Sequence, residues 1–199
     1  MSFAKATFSF SQATMEGAAL LCTLSLLSPT FQASNAIGAA VNSIAYIHYT
    51  RMLRLVEEGV DVTYVRFSDW LATVPLMVVE MHSTMGASLL DALPSTIFAA
   101  LMIVTGGWAY LQQQNEKDAS GAVLLSFLCL LGVWGFGIRS LIVTQASGYD
   151  LIIPIVFCVP WFLYGIAFVM KAPNWIYNLL DVYSKCGLAI TTSLLAISD

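Results

Sequence analysis

Seven apolar blocks, each about long enough to cross a bilayer as a helix, follow one another along this chain of 199 residues. A hydrocarbon core of about 30 Å takes about 20 helical residues. Blocks of that size lie at 8–28, 35–57, 62–86, 89–112, 119–144, 149–170 and 174–197. Short breaks rich in turn formers part them: Ser28-Pro29, Ser34-Asn35, Glu57-Glu58-Gly59, Gln112 to Lys117, Ser147-Gly148, and Lys171-Ala172-Pro173-Asn174. Seven crossings use nearly the whole chain. The expected fold is therefore an all-α integral membrane protein, one seven-helix bundle spanning 1–199 with no internal repeat.

Composition points the same way. Hydrophobic residues make up 58% of the chain and charged residues only 10%, whereas soluble domains carry about 25% charged residues. So few charges cannot coat a water-facing surface, which makes the lipid bilayer the expected partner. The net charge of -4 comes with no basic run, which argues against a nucleic-acid partner. Cys22, Cys129, Cys158 and Cys186 sit in apolar stretches without CxxC spacing. They read as small core residues rather than a disulfide framework or a metal site. Met1 to Phe10 has no signal-peptide pattern, so the first span is expected to serve as its own insertion signal.

Loop charges bear on orientation. With seven spans, Lys5, Lys117 and Lys171 share the N-terminal side, with Arg51 and Arg54 near it, and only Arg139 lies near the opposite face. Taken alone, that asymmetry favours a cytoplasmic N-terminus.

Ionisable residues inside a bilayer are expensive and usually functional. The third span holds Arg66, Asp69 and Glu80, the seventh holds Asp181 and Lys185, and the second holds His48. Asp181 and Lys185 are four apart and share a helix face. Arg66 and Asp69 are three apart. Two acids and two bases near mid-membrane are a poor device for stability alone, because desolvating each charge costs several kcal/mol. Glu80 lies eleven residues past Asp69, almost three turns, so both carboxylates point the same way about 16 Å apart. That spacing suits two stations on a path across the membrane rather than one acid-base site. Thr73 lies between them, placed to hydrogen-bond to Asp69.

The third span reads Arg66-Phe-Ser-Asp69-Trp70-Leu-Ala-Thr73-Val-Pro75-Leu-Met77-Val-Val-Glu80, the seventh Ile176-Tyr-Asn178-Leu-Leu-Asp181-Val-Tyr-Ser-Lys185, and the second Ile44-Ala-Tyr-Ile-His48-Tyr49. These strings resemble the third, seventh and second helices of microbial rhodopsins. Asp69, Thr73 and Glu80 fall on the Asp-Thr-Glu motif of the proteorhodopsin-like proton pumps. The resemblance implies all-trans retinal held on Lys185 as a protonated Schiff base, in the core of the bundle. It implies Asp69 as counterion and proton acceptor, Asp181 as second counterion, and Arg66 as the extracellular gate. Glu80 would return the proton from the cytoplasmic side, and His48 would hydrogen-bond to Asp69. Met77 falls at the colour-tuning position, and Trp70 would wall the retinal. The resemblance also implies an extracellular N-terminus, residence in the cell membrane, and a pentameric or hexameric homo-oligomer. Here it outweighs the loop charges.

Physical chemistry supports these roles. A cation in a low-dielectric site needs anionic partners, and desolvation keeps a carboxyl such as Glu80, flanked by Val78, Val79 and Met81, protonated and ready to donate. The sixth span departs from the family's Trp-x-x-Tyr-Pro. Anchored on Pro160, the motif would put Val159 at the Tyr position and Val156 or Phe157 at the Trp position. The last extracellular loop, Lys171 to Asn174, contains no acid, so no carboxylate release pair is evident. Short loops resemble a reduced or viral-type member.

Other residues have blander readings. Trp134 is as well explained by core packing as by the retinal wall. His82, two past Glu80, reads as a solvated helix-end histidine. Glu16 reads as interfacial, and Arg51 and Arg54 as snorkelling. The expected function is a light-driven outward proton pump and not an enzyme. The alternatives are a light-gated channel, a photosensor acting through a partner, and a retinal-free structural protein. Glu80 argues against a passive pore, and Lys185 against a structural protein, since an intramembrane lysine opposite two acids is costly without a use.

Overall fold

The structure is a computed structural model that describes residues 3–27, 33–145 and 152–198. Among the described residues, seven helical rods follow in order and no strand occurs. They are α1 (Phe3–Ser25), α2 (Ala33–Glu57), α3 (Thr63–Thr84), α4 (Leu89–Gln114), α5 (Ser120–Val143), α6 (Ile152–Val169), and α7, which starts as Asn174–Asp181. α7 then passes through a π-helical turn, Val182–Cys186, and continues as Gly187–Ser198. Consecutive helices pack side by side, and α7 returns against α1 and α2 to close the bundle.

Helix ends follow the local chemistry. α2 and α3 stop at Gly59 (φ 72°) and Gly86 (φ 73°), left-handed positions that glycine adopts without a Cβ clash. α4 begins at Ser88, whose hydroxyl accepts from the Asp91 N–H at 3.2 Å, satisfying one orphan donor of the first turn. α1 starts five residues before the apolar block, and Lys5 in its first turn pairs with Glu57 at the end of α2. Ser34-Asn35 is not a break. Both residues are buried in the first turn of α2. The Ser28-Pro29 and Ser147-Gly148 breaks lie outside the described residues.

The bundle buries its charged cluster among apolar core residues and turns an apolar surface outward. Leu24, Ile47, Leu71, Leu101, Leu128, Phe162 and Ile190, one from each helix, face outward with substantial exposure. Arg66, Asp69, Glu80, Asn178, Asp181 and Lys185 are essentially inaccessible. An outward apolar surface on every helix is what lipid solvates and water does not. Only α4 and α5, among the described helices, are apolar enough to cross a membrane on hydropathy and length alone. α6 is apolar too and falls short only in length, while the remaining helices carry polar residues, many of which the bundle turns inward.

Candidate functional site

Lys185 sits within the π-helical turn of α7, one residue before its end. A π turn adds a residue per hydrogen-bonded ring and recurs at functional sites. The lysine is 1% exposed. Its Nζ donates to Asp69 Oδ2 on α3 and stands 3.6 Å from Asp181 Oδ1, one turn earlier on its own helix. The cluster expected from spacing therefore forms, with both acids at the lysine.

The two carboxylates are held very differently. Asp181 accepts from the Tyr49 hydroxyl at 2.6 Å, Trp70 Nε1 at 2.9 Å, the Tyr164 hydroxyl, and Arg66 Nη1 at 3.2 Å. Among the described residues Asp69 accepts only from Lys185, at Oδ2. Arg66 faces Asp181 rather than Asp69, with Nη2 donating to Asn178 Oδ1 at 2.7 Å. Thr73 does not reach the Asp69 carboxylate. Its hydroxyl donates to the Asp69 main-chain carbonyl at 2.9 Å, the usual bond of a mid-helix threonine to the preceding turn. His48 is half-buried on α2, its Nδ1 unpaired, and the expected bond to Asp69 is not formed.

An apolar cavity opens beside the lysine. Its empty volume is about 760 Å³, part of it open to the surroundings. Trp70, Met77, Phe127, Trp161, Tyr164 and Tyr177 line it, and Asp181, Ser184 and Lys185 close one end. Trp134 and Pro160 do not line it. Trp134 packs on Phe162 with ring centroids 6.0 Å apart, and Pro160 is buried in α6 away from the cavity. The aromatic pair on α6 is instead Trp161-Phe162-Leu163-Tyr164, followed by Gly165. This is Trp-x-x-Tyr with glycine in the last place, and anchoring the motif on Pro160 hid it.

Glu80 lies farther along α3, fully buried. Its Oε1 accepts from Thr192 Oγ1 on α7 at 3.3 Å, and no ion pair reaches its carboxyl among the described residues. His82 is not solvated. It is fully buried against α5, with Nδ1 2.9 Å from Ser140 Oγ, because α3 runs on past Glu80 under the cover of its neighbour. Glu16 faces outward, as expected of an interfacial residue. All four cysteines are free, and three are buried.

Sequence reasoning missed Tyr49, Asn178, Tyr164, Trp161 and Thr192. Asn178 had a signal, being three residues before Asp181 on the same face. So did the Trp161/Tyr164 spacing. Nothing in the sequence pairs Tyr49 or Thr192 with residues more than a hundred positions away.

A sequence model of the bacteriorhodopsin-like protein family matches residues 5–198. The chain belongs to that family. Retinal is the family's chromophore, and the lining of the cavity suits it: apolar, walled by flat rings, and including a buried lysine with two acids beside it to balance a cation. Solved rhodopsins share the fold. Xanthorhodopsin, a light-driven ion pump with dual chromophore, is 24% identical, with a TM-score of 0.88 over 99% of this chain and 93% of that one. The viral rhodopsin OLPVRII is 18% identical, with a TM-score of 0.86 over 99% of each chain. A light-driven proton pump from Coccomyxa subellipsoidea is 17% identical, with a TM-score of 0.81 over 98% of this chain and 97% of that one. No curated protein sequence matches. The bacteriorhodopsin-like chain is thus an integral membrane retinal protein.

Proposed function

We propose that this protein is a light-driven proton pump that moves protons outward across the cell membrane. The observation that carries the reading is the unequal holding of the two acids at Lys185. Asp181 has four donors besides the lysine, while Asp69 has the lysine alone among the described residues. Hydrogen bonds to the charged form favour it. Asp181 therefore keeps its charge, and Asp69 is the acid that can take a proton from the Lys185 nitrogen. Bound through Lys185, retinal supplies the light absorption and the isomerisation that disturb this balance.

The remaining residues make the transfer one-way. Arg66 lies among Tyr49, Asn178 and Asp181, on the side of the lysine opposite Glu80 along α3. Its guanidinium keeps a positive charge beyond Asp69, which guards the exit path. Glu80 returns a proton from the other side, where a buried carboxyl held by the Thr192 hydroxyl serves as a store. With the N-terminus outside, Asp69 faces the exterior and Glu80 the cytoplasm. The few loop charges point the other way; the orientation rests on the resemblance of the third-helix motif to that of the proteorhodopsin-like pumps. Two solved structures of similar fold are of light-driven pumps.

Cells supplied with all-trans retinal and suspended without buffer test the reading. Light should acidify the medium, and a protonophore should abolish the change. Alkalinisation would reverse the orientation. A photocurrent that reverses at the equilibrium potential of an ion would establish a channel instead.

A further inference from the structure

The Glu80 carboxyl occupies space that only glycine at position 38 leaves free. A Cβ placed on Gly38 would lie 2.8 Å from Glu80 Oε1 and 3.2 Å from Cys22 Sγ. The first is far inside van der Waals contact, so a side chain at position 38 would force the Glu80 carboxyl out of its place. Gly38 is within α2 and is not among the positive-φ residues, so backbone conformation does not call for glycine there. A glycine inside a helix costs stability relative to alanine, which leaves the close approach of Glu80 as its use.

From the opposite side, Thr192 Oγ1 on α7 donates to the same Oε1 at 3.3 Å, and Thr192 is fully buried. No other side chain hydrogen-bonds to the Glu80 carboxyl among the described residues. Behind it, Cys22 Sγ and Ser193 Oγ are 3.5 Å apart and close the space from α1 and α7. The polar groups of α2 continue toward the lysine. Asn42 Nδ2 donates to the Gly38 carbonyl at 2.9 Å, and Asn42 Oδ1 accepts from Cys186 Sγ, the residue after Lys185, at 3.5 Å.

We propose that Gly38 and Thr192 are positioning residues for Glu80. Gly38 vacates the volume into which the carboxyl is set, and Thr192 orients it, so the proton returned to Lys185 leaves from a fixed point between α2 and α7. The inference rests on the reading of Glu80 as proton donor. It also explains a glutamate rather than an aspartate at position 80, since a side chain one methylene shorter would fall short of Thr192.

Infrared spectra of the full-length pigment in lipid, wild type minus Glu80→Gln, isolate the carboxyl C=O stretch of Glu80. Thr192→Val should move that band to higher frequency by removing its hydrogen bond, and Thr192→Ser should leave it in place. Gly38→Ala should shift the band and slow proton return to Lys185 after a flash by about 10²-fold, the cost of misplacing a reacting group by about 1 Å. Azide should restore part of the rate, and the visible maximum should not move, because Gly38 does not line the retinal cavity. If Glu80→Gln slows the return while Gly38→Ala and Thr192→Val keep both rate and band, the positioning roles are overturned. If Glu80→Gln itself leaves the return unchanged, the donor reading falls and takes this inference with it. Should Gly38→Ala fail to assemble, the Thr192→Val and Thr192→Ser pair decides the matter.

Discussion

Lys185 donates to one oxygen of Asp69 and stands 3.6 Å from Asp181, and it is the one hydrogen-bond donor to the Asp69 carboxylate among the described residues. Fewer donors hold the charged form of Asp69 than hold that of Asp181, and hydrogen bonds to a charged form favour it, so Asp69 is the carboxylate expected to take a proton. Its neighbour Asp181 is expected to keep its charge.

Asp69→Asn should therefore red-shift the visible band and abolish transport. In the wild type, the same red shift should appear on acidification as Asp69 is neutralised. A spectrum that stays flat from acid to alkaline pH would remove Asp69 from the counterion role. His48→Asn should move the midpoint of this colour transition through the field of the imidazole, without any direct hydrogen bond.

Asp181→Asn should behave differently. It leaves Arg66 buried without its anion, and breaking one side of a buried pair costs about 3–5 kcal/mol. Loss of pigment yield and a lower thermal midpoint are expected, measured by bleaching of the visible band on heating. Tyr49→Phe removes one donor from the same carboxylate and should cost about 1.5–3 kcal/mol, the range for hydrogen bonds to charged groups. Equal tolerance of Asp69→Asn and Asp181→Asn would contradict the asymmetry.

Lys185→Ala should leave a folded, colourless protein. No other lysine among the described residues is buried. Visible absorption by that variant after addition of retinal would end the assignment of the attachment site.

Glu80→Gln should still form pigment. Return of the proton should slow by about 10²–10⁴-fold, the usual contribution of a positioned proton-transfer group. Azide, a small permeant acid, should partly restore it. Under voltage clamp the wild-type photocurrent should keep one sign across zero. A current that tracks ion gradients, together with a Glu80→Gln photocycle like that of the wild type, would make Glu80 only a buried polar residue.

Two glycines separate packing from colour. A Cβ on Gly165 would sit 2.5 Å from Phe127 Cζ, and both residues line the retinal cavity. A Cβ on Gly132 would sit 2.8 Å from the Phe98 ring, away from the cavity. Each substitution to alanine overpacks the bundle and should cost about 1–3 kcal/mol. Only Gly165→Ala should also shift the visible maximum. Identical spectra for the two variants would show that the α5–α6 wall does not touch the chromophore.

Much of this was readable from the chain alone. Seven apolar blocks determine seven crossings, since a backbone in lipid must satisfy its own hydrogen bonds and a helix does so within itself. Helical spacing puts Asp181 and Lys185 on one face, and Asp69 and Glu80 on another, because 3.6 residues per turn is a local property. What needed the tertiary structure is every relation between helices. That Arg66 turns to Asp181 and not to Asp69, and that His82 is covered by Ser140, depends on which helix packs against which, as does the meeting of Thr192 and Gly38 at Glu80. Helical periodicity sets the direction of a side chain relative to its own axis. Its partner is set by the rotation and approach of another helix, and those are decided by packing across the whole bundle.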